Sequence, residues 1–155
     1  MIPGKETEAR IDAAIRGYPR AQSALLEILH LIQKERGYIA DEDMEYAAAR
    51  VGVPVAHVAG VVSFYTMLRR KPVGRHHIQV CRTLSCQLRG SREILERLKK
   101  RLGIREGEVT PDGRFSLVTV ECLGSCGTAP MMQVNDDYHE NLTLDRLDAL
   151  LDSMK

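Results

Sequence analysis

The chain carries almost no net charge. Its 22 basic residues face 21 acidic ones, for a formal net charge of +1. It therefore offers no long-range field of the kind that draws in nucleic acid. The densest basic run, Arg69-Arg70-Lys71, falls in a linker and reads as a solvated loop. Long apolar runs are also missing: the best stretch, Val58 to Leu68, is too short for a membrane span and contains Ser63 and Thr66. The polar N-terminus, with Glu6, Glu8 and Arg10, lacks the pattern of a targeting sequence. Neither a G-x-G-x-x-G fingerprint nor a Walker motif occurs, which places any nucleotide site elsewhere. Repeats and low-complexity segments are absent. The 155 residues allow one domain or two small ones, and 44% apolar content can bury a core without covalent staples.

What the chain does have is four cysteines in two tight pairs. Cys81 and Cys86 form a C-x4-C, and Cys122 and Cys126 form a C-x3-C. A two-iron, two-sulfide cluster needs four thiolates, two per iron, so the whole cysteine complement suits one such cofactor. Structural zinc sites favour C-x2-C turns, and dithiol oxidoreductases use C-x-x-C; neither spacing is present. A disulfide framework suits secreted domains short of core. A Rieske centre would need two histidine ligands, and His76 and His77 lie outside both cysteine loops. Spacing thus favours a 2Fe–2S cluster and leaves zinc and buried or bridged cysteine open as alternatives. Four free thiols without a secretion signal imply a reducing compartment, hence a cytoplasmic location, including the cytoplasmic face of a membrane where the chain sits in a complex.

Periodicity divides the chain into residues 1–71, a helical bundle, and residues 72–155, where strands begin. In the first part, Glu8 to Arg16 reads as a helix. Leu25, Leu26, Ile28, Leu29 and Ile32 mark a second, stopped by Gly37. Asp41 is the expected N-cap of a third, with Met44, Ala47, Ala48 and Val51 inward. Pro54 opens a fourth, with Val55, Val58, Val62 and Tyr65 inward. Lys71-Pro72-Val73-Gly74 is the boundary. Beyond it, Ile78-Gln79-Val80 reads as a strand ending at Cys81. Ser91 to Leu102 reads as a helix, with Ile94, Leu95, Leu98 and Leu102 inward and Gly103 as its stop. After a Pro111-Asp112-Gly113 turn, a strand from Phe115 runs into Cys122. Met131 to Val134 is a further strand, Asp136-Asp137 a turn and Tyr138 to Asn141 a short strand. Thr143 caps a last helix carrying Leu144, Leu147, Leu150 and Leu151. The fold class is α/β. Both cysteine pairs sit where a strand gives way to a loop, and the second loop is rich in small residues (Gly124, Ser125, Gly127, Thr128, Ala129) whose backbone N–H groups can approach sulfur.

These residues carry a family resemblance. The stretches Ser63-Phe64-Tyr65-Thr66-Met67, Pro72-Val73-Gly74, Ile78-Gln79-Val80-Cys81, Cys86-Gln87-Leu88-Arg89-Gly90, Glu121-Cys122-Leu123-Gly124-Ser125-Cys126-Gly127 and Ala129-Pro130-Met131-Met132-Gln133-Val134-Asn135-Asp136 resemble the family of E-type subunits of NADH:quinone oxidoreductases, the respiratory complex I enzymes. That family comprises thioredoxin-like 2Fe–2S proteins and also serves NAD-linked hydrogenases and formate dehydrogenases. Ala24-Leu25-Leu26 and Gly37-Tyr38-Ile39 resemble its helical part, so the likeness spans nearly the whole chain.

The resemblance implies a helical docking bundle followed by a thioredoxin-like domain, with Cys81, Cys86, Cys122 and Cys126 as the ligands of one 2Fe–2S cluster. It implies an electron-transfer subunit, not catalytic alone, that exchanges single electrons with the FMN of an NADH-oxidising flavoprotein partner. That partner would also hold the NAD site and a 4Fe–4S cluster. A zinc-stabilised or structural thioredoxin-like adaptor is the contrasting reading. Two positions depart from the family pattern. Arg82 stands where a small polar residue is common, either raising the cluster's potential or pointing to solvent. His139 stands where tyrosine is common and reads as a packed surface side chain.

Overall fold

The computed structural model describes residues 3–154. The chain forms two compact units, one ending at Pro72 and the other beginning at Val73, each with its own apolar core.

The first unit is all helix: α1 (Lys5–Arg16), a 3-10 turn (Ala21–Ala24), α2 (Leu25–Arg36), α3 (Asp41–Val51) and α4 (Val55–Phe64). Ile11, Ala24, Ile28, Leu29, Ile39, Ala47 and Val58 are fully excluded from solvent at its centre. The helix ends follow local chemistry. Gly37 terminates α2 in the left-handed region, at φ 93°. The cap of α3 lies one residue earlier than the sequence pattern predicts. Ala40 is the N-cap, and the Asp43 carboxylate reaches back to the Ala40 N–H at 2.8 Å. Only an acceptor three residues into the helix can make that return bond, so Asp43 caps the helix and Asp41 does not. Asp43 is buried, and the Arg36 guanidinium satisfies it at 3.1 and 3.2 Å. In α4, Val58 and Val62 are buried, but Val55 and Tyr65 are largely exposed. Val55 is the first residue of α4 and Tyr65 lies just past its end, and neither packs into the bundle core. The chain after α4 is strapped to α2: Gln33 donates to the Met67 carbonyl at 2.9 Å and accepts from the Arg69 N–H at 2.7 Å.

No single described helix is long and apolar enough to cross a membrane. The pair α3 and α4 is sufficiently apolar when taken together, but it is bent by 117° at its break. Both of its helices contribute buried residues to the bundle core.

The second unit is a four-stranded sheet with helices. Its elements are β1 (His76–Cys81), α5 (Leu84–Leu88), α6 (Ser91–Leu102), β2 (Phe115–Val120), β3 (Met132–Val134), β4 (Asp137–His139) and α7 (Leu144–Ser153). The strand order is β2-β1-β3-β4. β1 runs parallel to β2 and antiparallel to β3, and β4 is antiparallel to β3. Parallel neighbours need a crossover, which α5 and α6 supply. Ile94 and Leu98 of α6 and Leu147 and Leu151 of α7 pack with Ile78, Val80, Phe115 and Leu117. Strand alternation sends His77 and Gln79 to the other face, where they too are buried. His77 Nδ1 lies 2.8 Å from the Ser116 hydroxyl there.

Beyond β2, which ends at Val120 rather than running into Cys122, two details differ from the sequence pattern. The β3–β4 turn is Asn135-Asp136, one residue earlier than Asp136-Asp137, and β4 ends at His139. Asn135 adopts φ 54°, a region asparagine tolerates. Its side chain accepts from the His77 N–H at 2.9 Å and donates to the Arg75 carbonyl at 2.9 Å, fixing the turn against the start of β1. The other difference is α5, a five-residue helix inside the first cysteine loop that periodicity could not register at such length. Thr143 caps α7 as predicted, accepting from the Arg146 N–H at 3.2 Å.

Candidate functional site

The parallel pairing of β1 and β2 builds the site. Cys81, the last residue of β1, is in register with Val120, the last residue of β2. Parallel neighbours end at the same edge of a sheet, so the loop holding Cys86 and the loop holding Cys122 and Cys126 leave from one place. β3 returns beside them, with the Cys81 N–H donating to the Met131 carbonyl at 3.3 Å.

The four thiols differ in exposure. Cys81 and Cys86 are buried and pack with Ala129, Met131 and Leu123 in a small apolar cluster. Cys86 points inward from α5, while Leu84 and Leu88 on the same short helix are 73% and 78% exposed. Cys122 and Cys126 are exposed, with their sulfurs 3.6 Å apart. Gly124 allows that approach by taking φ 80°, which directs its N–H to the Cys122 sulfur at 3.3 Å.

Donors converge on the sulfurs. The Thr83 hydroxyl lies 3.3 Å from Cys81 Sγ. Burial raises the Cys81 thiol pKa, but Thr83, through hydroxyl and backbone, together with the Leu123 N–H and Cys86, brings it below the ordinary value. Cys86 is pushed up to about 11 by burial and by its hydrogen bond with Cys81, against the Met131 N–H, which lowers it. Cys122 is lowered by the Gly124 N–H, Cys126 and Thr83. Cys126 is raised by its hydrogen bond with Cys122 and by the charge there. In each pair the environment lowers one thiol and raises its partner. The pairs also feel each other: Cys86 senses Cys126, and Cys122 senses Cys81.

The chemistry of this donor set fits a 2Fe–2S cluster, which takes two thiolates per iron and accepts N–H hydrogen bonds at sulfur. Among the described residues, no three His, Cys, Asp or Glu side chains gather as a single metal ion would require. His76 and His77 stand at the start of β1, the end remote from Cys81. His139 is half-buried in β4, in register with Met132. Arg82 is exposed as expected, but it is not simply solvated. Its Nε donates to Glu121 at 2.9 Å, so the residue after the first cysteine pairs with the residue before the third. That carboxylate offsets the cation's field.

The sequence pattern had not marked Thr83, Leu123 or Met131 as groups facing the sulfurs, nor Tyr138, whose hydroxyl donates to the Leu123 carbonyl at 2.7 Å. Thr83 precedes α5 but makes no side-chain cap; its hydroxyl faces Cys81 Sγ instead.

Comparison with known proteins agrees with this architecture. The family model "Thioredoxin-like [2Fe-2S] ferredoxin" matches residues 11–155. An E-type subunit of NADH-quinone oxidoreductase from Rhizobium meliloti (strain 1021) is 48% identical over 145 residues, covering 94% of this chain and 86% of that protein. NADH-quinone oxidoreductase subunit 2 of Thermus thermophilus is 48% identical over 135 residues, covering 86% and 75%. Among solved structures, an NAD+-reducing [NiFe]-hydrogenase in the air-oxidized state superposes with a TM-score of 0.72 over 84% of this chain at 23% identity. That likeness shows the fold alone, and the chain spans only 22% of the hydrogenase chain it matches. Matched over nearly its whole length by the family model and by these relatives, the chain belongs to the thioredoxin-like [2Fe-2S] ferredoxin family, in the branch formed by the E-type subunits of NADH-quinone oxidoreductase.

Proposed function

We propose that this chain is the electron-transfer subunit of an NADH-oxidising complex. In this reading Cys81, Cys86, Cys122 and Cys126 hold one 2Fe–2S cluster, and single electrons are exchanged with the FMN of a partner flavoprotein that also carries the NAD site and a 4Fe–4S cluster. The observation that carries it is the register of Cys81 with Val120, which delivers two cysteine pairs to one sheet edge. When bound, the cluster supplies one-electron redox chemistry. The protein's own part is to hold and shield. Cys81 and Cys86 anchor the site in an apolar floor. The N–H groups of Thr83, Leu123, Gly124 and Met131 are placed to offset the charge on sulfur. Sulfur binds metal as thiolate, so loading the four thiols releases protons.

Residues 72–155 carry the site in this reading, and residues 1–71 dock the partner. Phe64 and Met67, 76% and 56% exposed at the end of the first unit, offer apolar surface for that purpose. A cytoplasmic location, in solution or at the membrane face within a complex, follows from the reading of four reduced thiols. The test is chemical analysis of anaerobically purified protein. Two irons and two sulfides per chain, with loss of both on Cys→Ser substitution at any of the four positions, are expected. Stoichiometric zinc with no visible absorption would replace this function with that of a structural adaptor.

A further inference from the structure

β4 and the segment after it grip the second cysteine loop. Besides the Tyr138 hydroxyl on the Leu123 carbonyl, the Asn141 N–H donates to the Thr128 carbonyl at 2.7 Å and the Leu142 N–H to the Pro130 carbonyl at 3.0 Å. These contacts are neutral. Glu140 adds a charged one. Its Oε1 accepts from the Thr128 hydroxyl at 2.6 Å and also from the Ser125 hydroxyl. Ser125 immediately precedes Cys126, and Thr128 closes the 3-10 turn that Cys126 begins, its N–H donating to the Ser125 carbonyl at 3.2 Å. The two hydroxyls are themselves 2.6 Å apart. Ser125 and Thr128 hold the Glu140 carboxyl below the ordinary glutamate range, so the acceptor is ionised at neutral pH. Hydrogen bonds to an ionised acceptor are about twice as strong as neutral ones.

The exposed half of the site needs such a clamp more than the buried half does. Cys81 is fixed in β1 and Cys86 in α5, and both are buried. Cys122 and Cys126 are exposed, and the loop between them contains no helix or strand. Cys126 is exposed; its sulfur meets Cys122, and the residues on either side of it add the polar contacts that hold its backbone.

We propose that Glu140 is a positioning residue for the cluster, clamping Cys126 through Ser125 and Thr128 and setting a fixed negative charge beside the ligand loop. The proposal rests on the cluster assignment above for its redox consequence, but not for the clamp itself. Glu140 is a member of no cysteine motif and touches no thiol, and it acts only through the two hydroxyls.

Two variants separate the parts. Glu140→Gln keeps an oxygen acceptor and removes the charge, whereas Glu140→Ala removes both. The first readout uses cluster-free protein: hydrogen exchange of the backbone amides of residues 123–129. Protection is expected to fall in the order wild type, Gln, Ala, and equal protection in all three overturns the clamp. The second readout is iron release from loaded protein to a chelator. Outer partners of a metal site typically hold about 10- to 100-fold in affinity, so roughly tenfold faster release is expected for Ala, with Gln between. The third is the reduction potential of the Gln variant, which should rise because a neighbouring negative charge disfavours the more negative reduced state. Lost protection with iron release and potential both unchanged overturns the positioning role. If wild-type protein binds no iron and sulfide, the functional reading fails while the exchange experiment still decides the clamp.

Discussion

Arg89 Nε donates to the Ala129 carbonyl at 2.7 Å, joining the two cysteine loops across forty residues of sequence. Arg89 directly follows α5, which carries Cys86. Ala129 follows the turn that begins at Cys126 and is fully buried. This bond holds the first loop against the second independently of any metal. Arg89→Ala is expected to lower the unfolding free energy of the cluster-free protein by about 1.5–3 kcal/mol, the usual net worth of a hydrogen bond made by a charged group. Arg89→Lys should recover only part, because an ammonium cannot reproduce the directed guanidinium N–H. Denaturant midpoints, read with an unchanged slope, check this.

Two glycines are expected to respond to alanine with opposite sign. A Cβ on Gly74 would lie 2.3 Å from the Phe115 carbonyl carbon, which is backbone and cannot step aside. Gly74→Ala should therefore push the chain off the start of β2 and cost about 1–3 kcal/mol, as overpacking does. Gly60 sits inside α4, exposed, with nothing within 4 Å of an added Cβ. Gly60→Ala should stabilise by roughly 0.5–1 kcal/mol, since glycine is a poor helix former. Thermal melts of the two variants moving in the same direction would contradict this assignment.

The contrast between these positions shows what was legible in the sequence. Helices announced by several turns of apolar periodicity, such as Ser91–Leu102 with its Gly103 stop, emerge with the predicted ends. The strands leading toward the cysteines were equally plain, because β-branched and apolar runs pointed to them, although β2 stops at Val120, short of Cys122. Events decided by a single side chain were hidden. Asp43 and Asp41 are both acidic residues in the first turn of one helix, and only the folded geometry selects the one whose carboxylate reaches Ala40. The outer partners of the thiols were hidden for a related reason. Arg89, Tyr138 and Glu140 act on the second cysteine loop through contacts 40, 15 and 12 residues apart in sequence, which no local pattern encodes.

Acid should weaken the second unit through α6 and α7. The Arg97 guanidinium beside Asp148 holds that carboxyl below its ordinary value of 3.8, with Arg101 adding to the field. A carboxylate with a lowered folded pKa contributes stability that is fully present above the ordinary value and is lost as pH falls through the lowered one. The contribution should be constant from neutral pH down to about 4 and then decline. Asp148→Asn should lose it at neutral pH and show a shallower fall in stability below about pH 4. Denaturation series at several pH values would show it, and parallel curves for the two proteins would remove Asp148 from the account.

The two separate cores lead to a test by truncation. All four cysteines, every described strand and the second core lie beyond Pro72. A chain starting at Val73 is expected to fold, to hold the proposed cluster and to retain its visible spectrum, while binding the proposed flavoprotein partner less tightly. Failure of the shortened chain to hold iron would show that the helical unit supports the site directly.

The last expectation concerns electron entry. NADH delivers two electrons as hydride, and a 2Fe–2S cluster accepts one at a time. The chain has no dinucleotide fingerprint, and its described thiol site offers sulfur ligands and N–H donors rather than a two-electron acceptor. The isolated subunit should therefore be reduced by dithionite and give the EPR signal of a reduced cluster, yet remain oxidised with NADH alone. Adding the flavoprotein should open the route, because a flavin takes the pair and passes electrons singly. The deciding arm is the lone subunit under anaerobic NADH titration. Rapid appearance of the reduced signal there would demand a nucleotide site and a two-electron acceptor within these 155 residues. Its absence in the lone subunit, followed by electron exchange on adding the partner, would assign hydride chemistry to the flavoprotein and single-electron transfer to the four cysteines.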